Sequence, residues 1–225
     1  LQRDQFLRIN NTKPLPRGLV TELLPEVATS LPSRLAARKI PSYLCDLLNR
    51  REGSPFHGLI RRASTASEEK RTAVITDTSV IGALQESLGS PSGCLFPYRN
   101  LATGETDVEA ILQIVTVYWS AVQRTFPDAW GKSARESRLM HGVGIKAMGR
   151  LMDSVMKPVL DPFAPETVDD IERELALIAP ACAWTDGRWG GLGGLAWNEL
   201  QNVPRHVRML SNLLIREYYQ RKREA

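Results

Sequence analysis

Apolar residues recur along most of this chain at spacings of three and four, the mark of helices that bury one face. The clearest run carries Val108, Ile111, Leu112, Val115, Trp119 and Val122 on a single stripe. It follows a capping-box spacing that starts at Thr106 and stops at Phe126 and Pro127. A second run starts at Thr167, with Asp170 three residues on, and turns Ile171, Leu175, Ile178 and Ala179 inward before Pro180. Leu139, Val143, Ala147, Leu151 and Val155 are spaced by fours and predict a helix over 133–156. Val80, Ile81, Leu84 and Leu88 predict a shorter one over 79–88, with Gly89 as its cap. Residues 33–49 read as helical around Pro41, which predicts a kink or two separate helices. The last stripe turns Val203, Val207, Leu210, Leu214 and Tyr218 inward and its arginines outward.

Only residues 72–76 have the β-branched density of a strand. The loops fall at 51–56, 89–104, 129–132 and 186–194, and the charged stretch 61–71 reads as a mobile link. The fold class that follows is mainly α, with little sheet of its own. Gly142, Gly144 and Gly149 stand inside a helical pattern, where each costs up to about 1 kcal/mol against alanine. Close packing on another helix is the leading reason, and approach of the backbone to a ligand is the alternative.

Charge sharpens this picture at one end of the chain. The net charge is +4, and the segment from Arg205 onward holds six basic residues against Glu217 and Glu224, an excess equal to that of the whole chain. Such an end either meets nucleic-acid phosphates or complements its own helix dipole. Arg138, His141, Lys146 and Arg150 could form a second basic stripe, with a solvated helix face as the alternative. Cys45, Cys94 and Cys182 lie far apart without CxxC spacing, which fits a reducing cytoplasm rather than a disulfide framework or a zinc knuckle. No apolar run approaches the roughly 20 residues of a membrane span, so no membrane partner is expected.

Enzyme signatures are sparse. GxxxxGK[ST], GxSxG and HExxH do not occur, and the three histidines are scattered. The glycine-rich stretch 186–194 lacks the lysine and hydroxyl of a phosphate loop; with Trp184, Trp189 and Trp197 around it, it reads as an aromatic-anchored turn packed on the last helix. Base stacking on an exposed tryptophan is the alternative.

Three phrases carry a family resemblance: FLRINNTKPLP (6–16), LMHGVGIKAMGRLMD (139–153) and CAWTDGRWGGLGGLAWNELQNVPRHVRMLSNLL (182–214). Together they resemble the DGQHR-domain family, a relative of the ParB-like fold. They look most like its DpdB-type branch, from bacterial systems that place a 7-deazaguanine base in DNA; the DndB-type branch, associated with phosphorothioation, is the nearest competitor. The resemblance implies a helical C-terminal region of a ParB-like α/β protein, with residues 1–30 closing the nucleotide-binding part and 31–225 forming the helical domain. It implies ATP and magnesium as cofactors. DNA and a tRNA-guanine-transglycosylase-like DNA modification enzyme are the partners it implies. By position, Asn10 and Lys13 would stand close to the phosphates and their metal, with Asn11 and Thr12 as neighbours and Asn10 as the metal-side residue. The Asp-Gly-Gln-His-Arg run itself does not occur, and Ile9 stands where the family has an acidic residue. The chain is therefore expected to be the portion downstream of that motif. Arg138, His141, Lys146, Arg150, Arg205, Arg208 and Arg216 are the candidates for contact with DNA or the partner enzyme. A DNA-binding regulator of a modification operon and a docking domain without turnover are the competing expectations.

Overall fold

A helix with one apolar stripe needs a partner to cover it, and this chain answers with helices. The computed structural model describes residues 17–26, 33–69, 72–99, 105–156 and 167–224. In order, the elements are α1 (Arg17–Leu23), α2 (Ser33–Arg50), β1 (Ile60–Arg61), β2 (Ile75–Thr76), α3 (Asp77–Gly89), α4 (Val108–Thr125), α5 (Gly142–Val155), α6 (Val168–Ala176), β3 (Arg188–Trp189), β4 (Leu195–Ala196) and α7 (Pro204–Glu224). β1 and β2 pair in parallel with Ile60 opposite Ile75, and β3 and β4 pair antiparallel with Trp189 opposite Leu195. The protein is mainly α with two minimal two-stranded sheets among the described residues, as its periodicity predicts.

α5 is the central helix, packed against both α3 and α7. It buries Val143, Ile145, Ala147, Met148, Leu151 and Met152. Its glycines let neighbours come close. A Cβ on Gly149 would lie 2.8 Å from the Cβ of Ala83 in α3, and one on Gly144 would lie 2.1 Å from the carbonyl oxygen of Arg138. Packing on another helix is thus the role of Gly149, while Gly144 makes room for the turn that precedes its own helix. α4 buries Ile111, Leu112, Val115, Trp119 and Val122 and packs on α6, while the Tyr118 hydroxyl donates to the Met148 carbonyl at 2.8 Å. α6 opens with the expected capping box, in which Thr167 and Asp170 each accept from the other's backbone N–H.

Several boundaries differ from the periodic reading, each for a local reason. The cap of α4 is Asp107, which accepts from Ala110 N, because Thr106 is drawn into a β-bridge with Arg99. The helix expected over 133–156 begins only at Gly142. Arg138 N donates to the Trp184 carbonyl at 2.8 Å, so residues 133–141 form a packed turn whose buried Leu139 extends the four-residue spacing without being helical. α2 runs through Pro41 as one helix. The lost hydrogen bond costs about 3 kcal/mol, offset by burial of Leu44, Cys45 and Leu48 on the same helix. The strand expected over 72–76 narrows to Ile75–Thr76. α3 extends to include Gly89, and Ser90, in an extended conformation, takes the capping position. Finally, Val207, Leu210, Leu214 and Tyr218 are buried as expected, but Val203 is 43% exposed because it precedes α7. No helix among the described residues is long and apolar enough to cross a membrane.

Candidate nucleic-acid interface

The chain between β4 and α7 reverses over a few residues, and its polar groups are spent holding that turn. The Gln201 side chain donates to the Asn198 carbonyl at 3.3 Å, Gln201 N donates to His206 Nδ1 at 3.0 Å, and Val203 N donates to the Gln201 carbonyl at 2.8 Å. The Val203 carbonyl accepts from Val207 N at 3.0 Å, which makes Val203 the N-cap of α7. Asn202 lies against the first residue of α5: a Cβ on Gly142 would come within 2.3 Å of its amide nitrogen. That glycine is what lets the turn seat there.

Arg138 braces the same turn from the other side. Its guanidinium donates to the Asn198 carbonyl at 2.6 Å and to the Ala134 carbonyl at 2.5 Å, and it stacks 5.7 Å from the centre of the Trp197 ring. His141 caps α5 by accepting from Val143 N at 3.4 Å; burial, and then the charge of Arg138, hold its imidazole below the ordinary histidine value. The fold therefore brings Arg138 and His141 to the turn that leads into Arg205 and Arg208, both exposed. Of the seven basic candidates, Arg150 and Arg216 alone pair with an acidic side chain among the described residues, and of the other five Arg205 and Arg208 are the exposed ones.

The remaining candidates are drawn elsewhere. Arg150 Nε donates to Glu86 on α3 at 2.7 Å, and the Lys146 side chain lies over Gly82 of the same helix. Arg216 meets Glu217 at 3.2 Å, and Arg221 meets the same carboxylate at 3.5 Å. Lys222 donates to Glu174 at 2.7 Å and to the Tyr218 hydroxyl at 2.8 Å, tying α7 to α6. Burial opposes the charge of Glu174, yet the hydrogen bonds from Lys222 and Tyr218 outweigh it and hold the carboxyl below its ordinary value. Burial likewise opposes the Lys222 charge, but Glu174 and Tyr218 raise it to about 12.

The glycine-rich stretch is a hairpin packed on α7. Trp189 is fully buried, its ring 5.0 Å from that of Trp184, and a Cβ on Gly191 would lie 2.3 Å from the Leu213 side chain. The turn that closes it needs Gly193 and Gly194, both at positive φ.

Asn10, Asn11, Thr12 and Lys13 lie outside the described residues. α1 follows them in the chain and is anchored by buried Leu24 and by Glu22. The Glu22 carboxylate accepts from Arg62 Nε at 3.3 Å, Ser64 N at 3.0 Å and Ser64 Oγ at 2.9 Å, and Arg62 also donates to Asp46 at 2.9 Å. The polar stretch 61–71, expected as a mobile link, thus contains an arginine, Arg62, only 8% exposed. Nearby, Asp77 accepts from Thr78 N, while burial pushes its carboxyl above the ordinary value. Sequence reasoning missed this network, since its members lie 16 and 40 residues apart and no local pattern links them.

Nucleophile chemistry finds little support. Burial raises all three thiols, Cys45 to about 12 and the other two further, so they stay protonated near neutrality. Among the described residues no group of three or more His, Cys, Asp or Glu could hold a metal ion. No protein-family model, curated protein or solved structure matches the chain.

Proposed function

We propose that this chain is the helical portion of a DGQHR-type protein that binds and hydrolyses ATP with magnesium. In the cytoplasm it assists a transglycosylase partner in placing a 7-deazaguanine base in DNA. The reading starts from the three resembling phrases. The observation that best supports it is the exposed pair Arg205 and Arg208, without acidic partners among the described residues and beside the braced Arg138 turn. Arginines in this state retain their charge for phosphates, and phosphate contact releases counterions. Asn10 and Lys13, with Asn11 and Thr12 beside them, would hold the nucleotide phosphates and the magnesium ion through a carboxamide, a hydroxyl and an ammonium.

The test is duplex DNA binding measured by fluorescence anisotropy across a salt series, together with ATP hydrolysis by the wild type and Lys13→Ala. The reading expects affinity that falls steeply with salt and hydrolysis lost in the variant. Affinity that barely moves with salt removes the DNA contact. Hydrolysis surviving in Lys13→Ala removes the role of that lysine, and sequence-specific promoter binding without ATP would favour a regulator.

A further inference from the structure

α7 sorts its residues by angle. At 3.6 residues per turn, Arg205, Arg208 and Asn212 project within about 60° of one another, and Asn212 falls between the two arginines. All three are exposed, while Val207, Leu210, Ser211 and Leu214 on the other side are buried where α7 packs on α5. The acidic residues of α7 lie elsewhere. Glu217 stands about 120° or more round the helix from these three and pairs with Arg216 and Arg221, and Glu224 closes the helix. The start of α7 therefore shows solvent a cationic face without acids.

Asn212 is the odd residue on that face. Asparagine is a poorer helix former than alanine, so an exposed position inside a helix gains no stability from it. Other polar side chains of α7 bond within the fold. His206 accepts from Gln201 N at 3.0 Å, Ser211 donates to the Val207 carbonyl at 2.6 Å, Tyr218 donates to Glu174 at 2.7 Å and Gln220 to Glu224 at 3.5 Å. The Asn212 carboxamide bonds to none of the described residues. It is a paired donor and acceptor on a packed helix, set between two arginines that have no acidic partners among the described residues. The major groove of a duplex matches that arrangement. At about 12 Å wide it admits a helix, and within it a carboxamide can bond N6 and N7 of one adenine together. Arginines on either side of such a reader meet phosphates, which fix its register.

We propose that this face of α7 enters the major groove of duplex DNA, where Asn212 reads one adenine while Arg205 and Arg208 hold phosphates beside it. The inference rests on the DNA reading above and adds a specificity-determining residue to it. One reader gives preference at one base pair, not recognition of a whole operator.

The experiment selects bound molecules from a pool of duplexes with a randomised centre, using the wild type, Asn212→Ala and Arg205→Gln/Arg208→Gln. The sequence that emerges is then measured by fluorescence anisotropy, as is the same duplex with that A·T pair changed to G·C or its adenine replaced by 7-deazaadenine, which lacks the N7 acceptor. Wild type should favour the A·T duplex over both replacements, by about fivefold or more over G·C. Asn212→Ala should lose the preference, bind the G·C duplex within about twofold of wild type, and melt no lower, because alanine is the better helix former. The arginine variant should bind every duplex more weakly and keep the preference. Wild-type binding without an adenine preference, a preference that survives in Asn212→Ala, or one indifferent to 7-deazaadenine overturns the reader and leaves the DNA reading intact. No duplex binding by the wild type, or tighter binding to an RNA hairpin than to any DNA duplex, overturns both.

Discussion

The two ends of α7 carry the same residue chemistry and do opposite things with it. At the C-terminal end, Arg216 and Arg221 share Glu217, and Lys222 is held by Glu174 and Tyr218. At the N-terminal end, Arg205 and Arg208 face solvent beside an exposed valine on a braced turn. A charge count treats these residues alike, but pairing separates them. Basic residues that complement acids on their own fold stiffen it, while unpaired ones keep their attraction for an outside partner. The excess of charge in this tail is therefore best assigned to the start of the helix, with Arg223 as the exception among the last-turn residues.

The contrast can be broken from either end. The largest effect should come from Gly144→Ala, because the added methyl would press on the backbone of Arg138 and Leu139, the turn that braces the N-terminal end. Overpacking against backbone has no soft neighbour to yield, so a loss of about 1–3 kcal/mol is expected in chemical denaturation. At the other end, Glu174→Gln keeps an acceptor oxygen but removes the charge that Tyr218 and Lys222 share, and should cost about 1 kcal/mol.

That second cost has a pH signature. Glu174 sits below its ordinary value in the folded protein, so its contribution is present above pH 4.5 and fades as pH falls through the folded value. Lys222 is raised to about 12, so its contribution is full below 10.5 and is lost as pH rises through about 12. The melting-temperature gap between wild type and Glu174→Gln should hold across neutral pH and close in acid below 4.5. A gap that widens in acid would contradict the assignment. The smallest effect, of opposite sign, should come from Val203→Ser, which supplies the missing cap and should stabilise the protein by about 0.5–1 kcal/mol in the same denaturation assay.

Much of the architecture is written in the spacing of apolar residues, since helices that bury one face must repeat it. The stripes of α4 and of α7 from Val207 on, and the Thr167 capping box, are local patterns that form where the sequence places them. α6, by contrast, stops at Ala176, so that Ile178 is buried just beyond it and Ala179 is only half-buried in a short 3-10 turn. What the spacing cannot show is where a periodic residue lies just outside a helix. Leu139 and Val203 both continue a stripe and both precede their helices, one buried in a turn and the other exposed. At Pro41, where the spacing left a kink or a break as alternatives, tertiary burial carries one helix through, which removes the break.

The candidate interface was half legible. Arg138, His141, Arg205 and Arg208 stand out as basic residues in the sequence. Their meeting depends on Arg138 reaching Asn198, 60 residues away, and on Gly142 making room for Asn202. Lys146 and Arg150 share the periodic stripe with Arg138 but turn to α3, where Glu86 takes the Arg150 charge. Such sorting is set by tertiary neighbours, which no spacing along one helix encodes. The buried Arg62 network is the extreme case, joining three separate segments through the Glu22, Asp46 and Arg62 side chains.

The central claim is that the start of α7, and not its end, meets DNA phosphates. The most direct measurement is the slope of log affinity against log salt for a non-specific duplex, compared between wild type, Arg205→Gln/Arg208→Gln and Arg216→Gln/Arg221→Gln. Each phosphate contact contributes about one unit to that slope, so the first variant should lower its magnitude by about 2 and the second should leave it unchanged. A slope that shifts only in the second variant, or in neither, would contradict the account.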